Sequence, residues 1–358
     1  LSTIGVMHRE FFLGLAAAGL RMPIGADLVL HELHDPEAAR LDARRLGAVI
    51  EETARRYATP LAIPLMDLRL EKADLLALLG IHDEAFQFAE APSEAEIARV
   101  RAAADAPFGP ASAAHIGSVR YIAEETELFP AGMAIGPFSL ATKLIADPVT
   151  PVALAGMGLK AGDDPAILLF ERCLELAEIA VARACAAQVD AGARAVLICE
   201  PAANVVYISP KQMAAGADTF ERFVIAPDLR VRDRLAAAGA ALILHDCGQL
   251  CDPMVRAFGE RIHPEVLSLG SSRKLWEDAA LVPEDVVLFG NLPTKSYYSD
   301  SEMPVGKVTA LAEELAGRMR ATGHPFILAS ECDVLHVPES AETIRRKVDA
   351  VFRANVAK

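Results

Sequence analysis

The chain reads as an α/β fold closed into a (β/α)8 barrel with an N-terminal helical extension. Three observations predict this. Short apolar runs alternate with long amphipathic stretches, the pattern of βα units around a parallel sheet. There are eight such runs, the number that closes a barrel. Glycine or proline stands at many of the joints (Gly192, Gly239, Gly290, Gly323 and Pro325). A doubly wound open sheet is the structural alternative, but no Gly-x-Gly-x-x-Gly or P-loop follows any run.

The runs, in order, are Leu61–Met66, Ala85–Phe88, Gly132–Ile135, Ala195–Cys199, Ala241–Leu244, Val266–Leu269, Val286–Phe289 and Phe326–Leu328. Helical patterns lie between them, among them Pro165–Ala191, Arg230–Ala238 and Ser301–Thr322. Residues 1–60 are mainly helical and precede the first run. They are expected to form an extension packed on a barrel of residues 61–358, the whole making one structural domain.

Composition narrows the function. The 358 residues carry 35 basic and 49 acidic side chains, a formal charge of −14. Such a surface repels phosphate backbones, which argues against a nucleic-acid partner. No run approaches the roughly 18 uncharged apolar residues of a membrane span. No leader pattern opens the chain, and the six cysteines include no C-x-x-C pair. A reducing cytoplasm is the expected setting, where clustered Cys and His point to metal or catalysis rather than to disulfides. An acidic, apolar-rich chain also permits a homodimer.

In a parallel barrel the reactive side chains gather where strands end. The residues after the runs are Asp67, Glu200, His245 with Cys247, Asn291, and Glu331 with Cys332. The sharpest signal is Leu244-His245-Asp246-Cys247-Gly248. Side chains two apart on extended backbone point the same way, so His245 and Cys247 can meet one ion. Cys332, after the last run, is the candidate third ligand, because the whole rim converges on one mouth. An imidazole and two thiolates suit Zn²⁺ with a fourth position open. Cys251 and His336 compete for the third place through turn or helical geometry. The plainer alternative makes the cysteines small core hydrophobes. Cys173, Cys185 and Cys199, on apolar faces, are expected there.

At these residues the chain resembles the zinc methyltransferases of the uroporphyrinogen decarboxylase superfamily, including the methylcobamide:coenzyme M methyltransferases. The His-x-Cys-Gly element at 245–248 is similar to theirs. So are GMAIGPFSLA at 132–141, Glu200-Pro201-Ala202 with Ile208-Ser209-Pro210, Phe289-Gly290-Asn291 and FILASECDV at 326–334. Arg21-Met22-Pro23 and Pro64-Leu65-Met66-Asp67 fit as well. The resemblance covers nearly the whole chain, in register. It implies a distorted (β/α)8 barrel of the uroporphyrinogen decarboxylase type, with zinc on His245, Cys247 and Cys332. Glu331 stands where the family usually has glycine, and Glu200 where aspartate is common. Each is a candidate fourth ligand or acid–base group, and Asp67 a candidate proton handler. Asn291 and Tyr297 are candidate cofactor contacts, with Tyr298 also placed to line the mouth.

The activity implied is methyl transfer between a corrinoid and a thiol such as coenzyme M or homocysteine. The methyl group comes from methylcobalamin or from a separate corrinoid protein, since this chain has no Asp-x-His-x-x-Gly corrinoid motif. Tetrahydrofolate is an alternative acceptor. The decarboxylase branch is a second implied class, needing no metal. Its N-terminal Arg-Gln-Ala-Gly-Arg element, which holds substrate carboxylates, is missing here. A non-catalytic corrinoid- or thiol-binding protein is the third class.

Overall fold

The computed structural model describes residues 3–22 and 25–354. Pro23, the last residue of the Arg21-Met22-Pro23 segment, lies outside them. The described residues form eight parallel strands: β1 (Arg21–Met22), β2 (Leu61–Ala62), β3 (Phe129–Ile135), β4 (Ala195–Cys199), β5 (Ala241–Asp246), β6 (Val266–Leu269), β7 (Val287–Leu292) and β8 (Phe326–Ser330). The sheet order is β1-β8-β7-β6-β5-β4-β3-β2. No β-ladder joins β1 to β2, so the barrel is distorted, with a seam between its two shortest strands.

Seven of the eight expected runs overlap these strands. The exception is Ala85–Phe88. Phe88 makes only an isolated parallel bridge to Ile145, and β2 pairs directly with β3, so no strand stands between them. The missing strand is Arg21–Met22, which pairs with β8 at Leu328 and Ala329. The first sixty residues are therefore not only a helical extension, since they also complete the sheet. Two residues are too short for periodicity to register. What holds Arg21 is distant in sequence: its guanidinium donates to the carbonyls of Val351 (3.0 Å) and Phe352 at the end of the helix Ala341–Arg353. A cation suits the negative end of that helix dipole.

Alternation along each strand divides the core in two. Ala195, Leu197, Ala241, Ile243, Val266, Val287, Phe289, Ile327 and Ala329 fill the barrel interior. Their neighbours Val196, Ile198, Leu242, Leu244, Leu267 and Leu288 face the helical layer. The helix Thr3–Ala17 packs on the interior cluster, with Phe11 stacked on Phe129 at 4.3 Å between centroids. Arg9 on that helix donates to the carbonyls of Asp285 (2.8 Å) and His263 (3.1 Å).

The longest helix, Pro165–Asp190, starts where Asp164 accepts from the Ala166 N–H and Pro165 takes the first turn. Its buried residues Ile167, Phe170, Leu174, Ala177, Val181, Cys185 and Gln188 recur every three or four positions, one face of a helix. Gln188 inserts its amide into β3, accepting from the Met133 N–H (2.7 Å) and donating to the Met133 carbonyl (2.9 Å).

Lys347 is fully buried and holds the loop after β7. Its ammonium donates to the carbonyls of Tyr297 (2.7 Å) and Ser299 (2.9 Å) and pairs with Asp300 (3.0 Å). Lys347→Met fills similar volume but leaves buried carbonyls unpaired. It is expected to cost about 2–6 kcal/mol, at 1–3 kcal/mol for each of the two unsatisfied carbonyls, read as a lower urea midpoint.

Candidate metal centre

The interior parity of β5 runs 241, 243, 245, so His245 is the last inward side chain before the strand ends. Across the sheet it is in register with Ser268 on β6. Ser268 is itself a polar residue on the inward parity of an apolar run. Its hydroxyl lies 2.8 Å from His245 Nδ1. The imidazole is 1% exposed, and its Nε2 has no partner. After β5 the chain turns: the Gly248 N–H donates to Asp246 (2.7 Å). A Cβ on Gly248 would sit 2.9 Å from the Pro201 carbonyl oxygen and 2.7 Å from Asn204, so glycine is required there. This turn presents Cys247. Cys332 arrives from the end of β8, its sulfur 3.6 Å from that of Met66 beyond β2.

His245, Cys247 and Cys332 each offer a donor atom, and the three atoms lie within 4.8 Å of one another. The set fits a zinc ion. A buried imidazole has one nitrogen held and the other unpaired, which is the usual state of a histidine ligand oriented by an outer partner. Two soft sulfur donors complete the zinc-type set. Cys247 is held well below the ordinary thiol range. The Cys332 thiol hydrogen-bonds to it, and His245 and Lys295 outweigh the opposing effect of burial. Cys332 is pushed up by the same contact and by burial. Lys295, on the short helical turn Thr294–Ser296, is pushed up: burial opposes its charge, but Cys247, Glu331 and Cys332 outweigh it.

The other expected site residues fall differently. Asp67 is half-buried and lines a cavity of about 520 Å³ that also reaches Cys332. Arg69 binds it through Nε (2.8 Å) and Nη2 (2.6 Å) and, against burial, keeps its carboxyl below the usual range. Glu200 is not placed as a ligand. Its oxygens accept from the N–H groups of Phe138 (2.9 Å) and Ser139 (2.8 Å), opening the helix Pro137–Leu144. Burial pushes its carboxyl up to about 7. Glu331 likewise accepts from Ser271 N–H (3.1 Å) and Lys295 N–H (3.3 Å), joining the loops after β6 and β7. Both carboxylates thus accept from backbone N–H groups of neighbouring loops.

Asn291 donates through Nδ2 to the carbonyls of Gly270 and Arg273, each at 2.9 Å. Tyr297 is buried on the loop after β7. Its side chain is closed into the core with its hydroxyl unpartnered, because Lys347 draws its carbonyl inward, and the neighbouring Tyr298 is exposed instead. Cys251 and His336 stand outside the donor cluster. Cys251 precedes the helix Asp252–Ala257, and His336 stacks on His31 at 4.3 Å. Cys173, Cys185 and Cys199 are core residues whose thiols burial pushes up.

Sequence reasoning missed Ser268 and Lys295. A serine on the barrel-facing parity of Val266–Leu269 was the available signal for the first. For Lys295 there was none, since it lies six residues past the end of the run Val286–Phe289.

Similarity to known proteins agrees with this architecture. The family profile described as uroporphyrinogen decarboxylase (URO-D) matches residues 50–353. A uroporphyrinogen decarboxylase from Gluconacetobacter diazotrophicus is 25% identical over 259 residues, covering 72% of this chain and 67% of that protein. The solved structure of a methyltransferase from Methanosarcina mazei superposes with a TM-score of 0.63 at 16% identity, covering 93% of this chain and 92% of that one, a likeness of fold. Strand order, barrel and profile together place this chain in the uroporphyrinogen decarboxylase family.

Proposed function

We propose that this protein is a zinc-dependent methyltransferase that moves a methyl group from a corrinoid to a thiol. The observation that carries the proposal is the His245, Cys247 and Cys332 donor cluster at the barrel mouth. The methyltransferase named among its structural neighbours supports it. The decarboxylase relative suggests the other branch. A tetrapyrrole with several carboxylates needs free cations, however, and Arg40 and Arg69 in the mouth cavity are already paired with Asp27 and Asp67.

Zinc, when bound, keeps a coordinated thiol deprotonated near neutral pH. Three protein donors are one fewer than its usual four, which leaves a place for the substrate sulfur. Ser268 fixes the ring of His245 so that Nε2 faces the cluster. The Lys295 ammonium offsets the negative charge that gathers on the sulfurs. A methyl-corrinoid docked at this mouth would supply the methyl group to the substrate sulfur, the electron pair of the broken cobalt–carbon bond remaining with cobalt. Val206, Tyr298 and Leu335, on loops after β4, β7 and β8, present exposed apolar side chains that suit a docking corrinoid protein or free cobalamin. None of the described helices is long and apolar enough to cross a membrane.

The test is metal content after purification without chelator, followed by loss of the methylcobalamin spectrum on adding a thiol. About one zinc per chain and thiol-dependent demethylation are expected. Absence of zinc after reconstitution, with decarboxylation of uroporphyrinogen, would overturn the proposal. A finer check is Ser268→Ala, which frees the imidazole to rotate. It is expected to weaken zinc binding by about 10–100-fold, measured by competition with a chromophoric chelator.

A further inference from the structure

The two sulfur donors of the cluster stand on irregular backbone at the mouth. Cys247 follows the end of β5 and Cys332 lies just beyond β8, and neither belongs to a helix or strand. Their sulfurs are within 4.8 Å of each other. Rotation of the side chains between staggered positions can close such a gap without moving a paired strand. Both residues are half-buried. Cys332 lines the cavity of about 520 Å³, which gives a small solute a way to it. Met66 lines the same cavity, its sulfur 3.6 Å from that of Cys332.

The other cysteines are placed differently. Cys173 and Cys199 are fully buried and Cys185 nearly so. Cys251 is half-buried, but it stands outside the donor cluster. Oxidation of a thiol follows its exposure and its access to a resolving thiol. Cys247 and Cys332 combine access with a neighbouring thiol.

We propose that Cys247 and Cys332 are a redox pair: a hydroperoxide joins them in a disulfide, which takes both sulfur donors from the cluster, and a dithiol restores them. One sulfur attacks an oxygen of the peroxide. The O–O bond breaks, water leaves, and that sulfur becomes a sulfenic acid. The second sulfur displaces the sulfenic oxygen, which leaves as water with the remaining thiol proton. The two thiols lose two protons and two electrons in all, and hydrogen peroxide becomes two waters. A dithiol returns the electrons by thiol–disulfide exchange. With both sulfurs consumed, His245 is the one donor left, too few to hold a metal ion tightly. The disulfide rests on the geometry of the two cysteines, and its effect on metal rests on the zinc reading above.

The test treats the full chain with hydrogen peroxide, metal-free and zinc-loaded, and maps its cysteines by alkylation and mass spectrometry. Metal-free protein is expected to lose two of its six free thiols and to give one cross-linked peptide pair, carrying Cys247 and Cys332. Zinc-loaded protein is expected to release about one zinc per disulfide to a chromophoric chelator and to rebind it after dithiothreitol. Cys332→Ser is expected to stop at an oxygen adduct on Cys247, whereas Cys251→Ser forms the wild-type cross-link. Mapping of the wild type decides the matter even if Cys332→Ser fails to fold. Oxidation confined to Met66, a bond from Cys247 to Cys251, or oxygen adducts on both thiols without a cross-link would overturn the redox pair. A cross-link in protein that binds no zinc would uphold the pair and overturn the zinc reading. Protein that binds zinc but forms no cross-link in either state would overturn the pair alone.

Discussion

Cys332→Ser is expected to remove zinc and thiol methyl transfer together. The substitution keeps the size of the side chain and exchanges a soft sulfur for an alcohol oxygen that stays protonated near neutral pH. His245 and Cys247 come from one strand and its turn, and two donors from one element do not close a tetrahedral set. Losing even an outer partner of a ligand costs about 10–100-fold in metal affinity, so losing the ligand itself is expected to cost more than about 100-fold. Metal analysis and chelator competition read the first effect, and methylcobalamin demethylation the second. Circular dichroism checks that the barrel persists, since Cys332 lies beyond the last strand. Retention of one tightly held zinc by the variant would refute the ligand set.

Glu71→Gln is expected to change how stability depends on pH. The Glu71 carboxyl is buried and its Oε2 has no partner. Burial pushes it from 4.5 up to about 8, against hydrogen bonds from the backbone at Glu71 and Ile135. Between those two values the unfolded chain has released the proton and the native protein retains it. The unfolded state then binds fewer protons, so stability falls as pH rises. The contribution of Glu71 is complete below about pH 4.5 and is lost as pH passes about 8. At about 1.4 kcal/mol per unit, the change approaches about 5 kcal/mol as an upper limit. Glutamine is neutral throughout. The stability of wild type relative to the variant should therefore decline from pH 5 to pH 9 in urea titrations. Burial pushes Asp228 and Asp333 the same way, so the difference between the two proteins isolates Glu71. A difference that stays constant with pH would mean that Glu71 is not held protonated by the fold.

Much of the barrel was legible because strands four or more residues long and buried on both faces leave continuous apolar runs. β4 and β6 coincide with Ala195–Cys199 and Val266–Leu269. Ala85–Phe88 has the same local look and is not a strand of the sheet, while Arg21–Met22 has no local signature and is. Sheet membership depends on which edge is free, and pairing across 307 residues between Arg21 and Leu328 leaves no trace in a short window.

The candidate site divides along the same line. His245 and Cys247 are two apart on extended backbone, so the sequence alone places both on one side and, with the interior parity of β5, at the mouth. Whether a third donor reaches them was open among Cys332, Cys251 and His336. The wrapping of β8 beside β1 brings Cys332 close and leaves the other two away. Glu200, Glu331 and Tyr297 are candidates in the sequence because they follow apolar runs. The folded chain ties the two carboxylates to backbone N–H groups of neighbouring loops and closes the tyrosine into the core. Ser268 and Lys295 gain their meaning only from groups on other strands. Local periodicity determines what a residue can offer and which way it faces. Closure of the sheet decides what it meets, because those partners lie tens to hundreds of residues away.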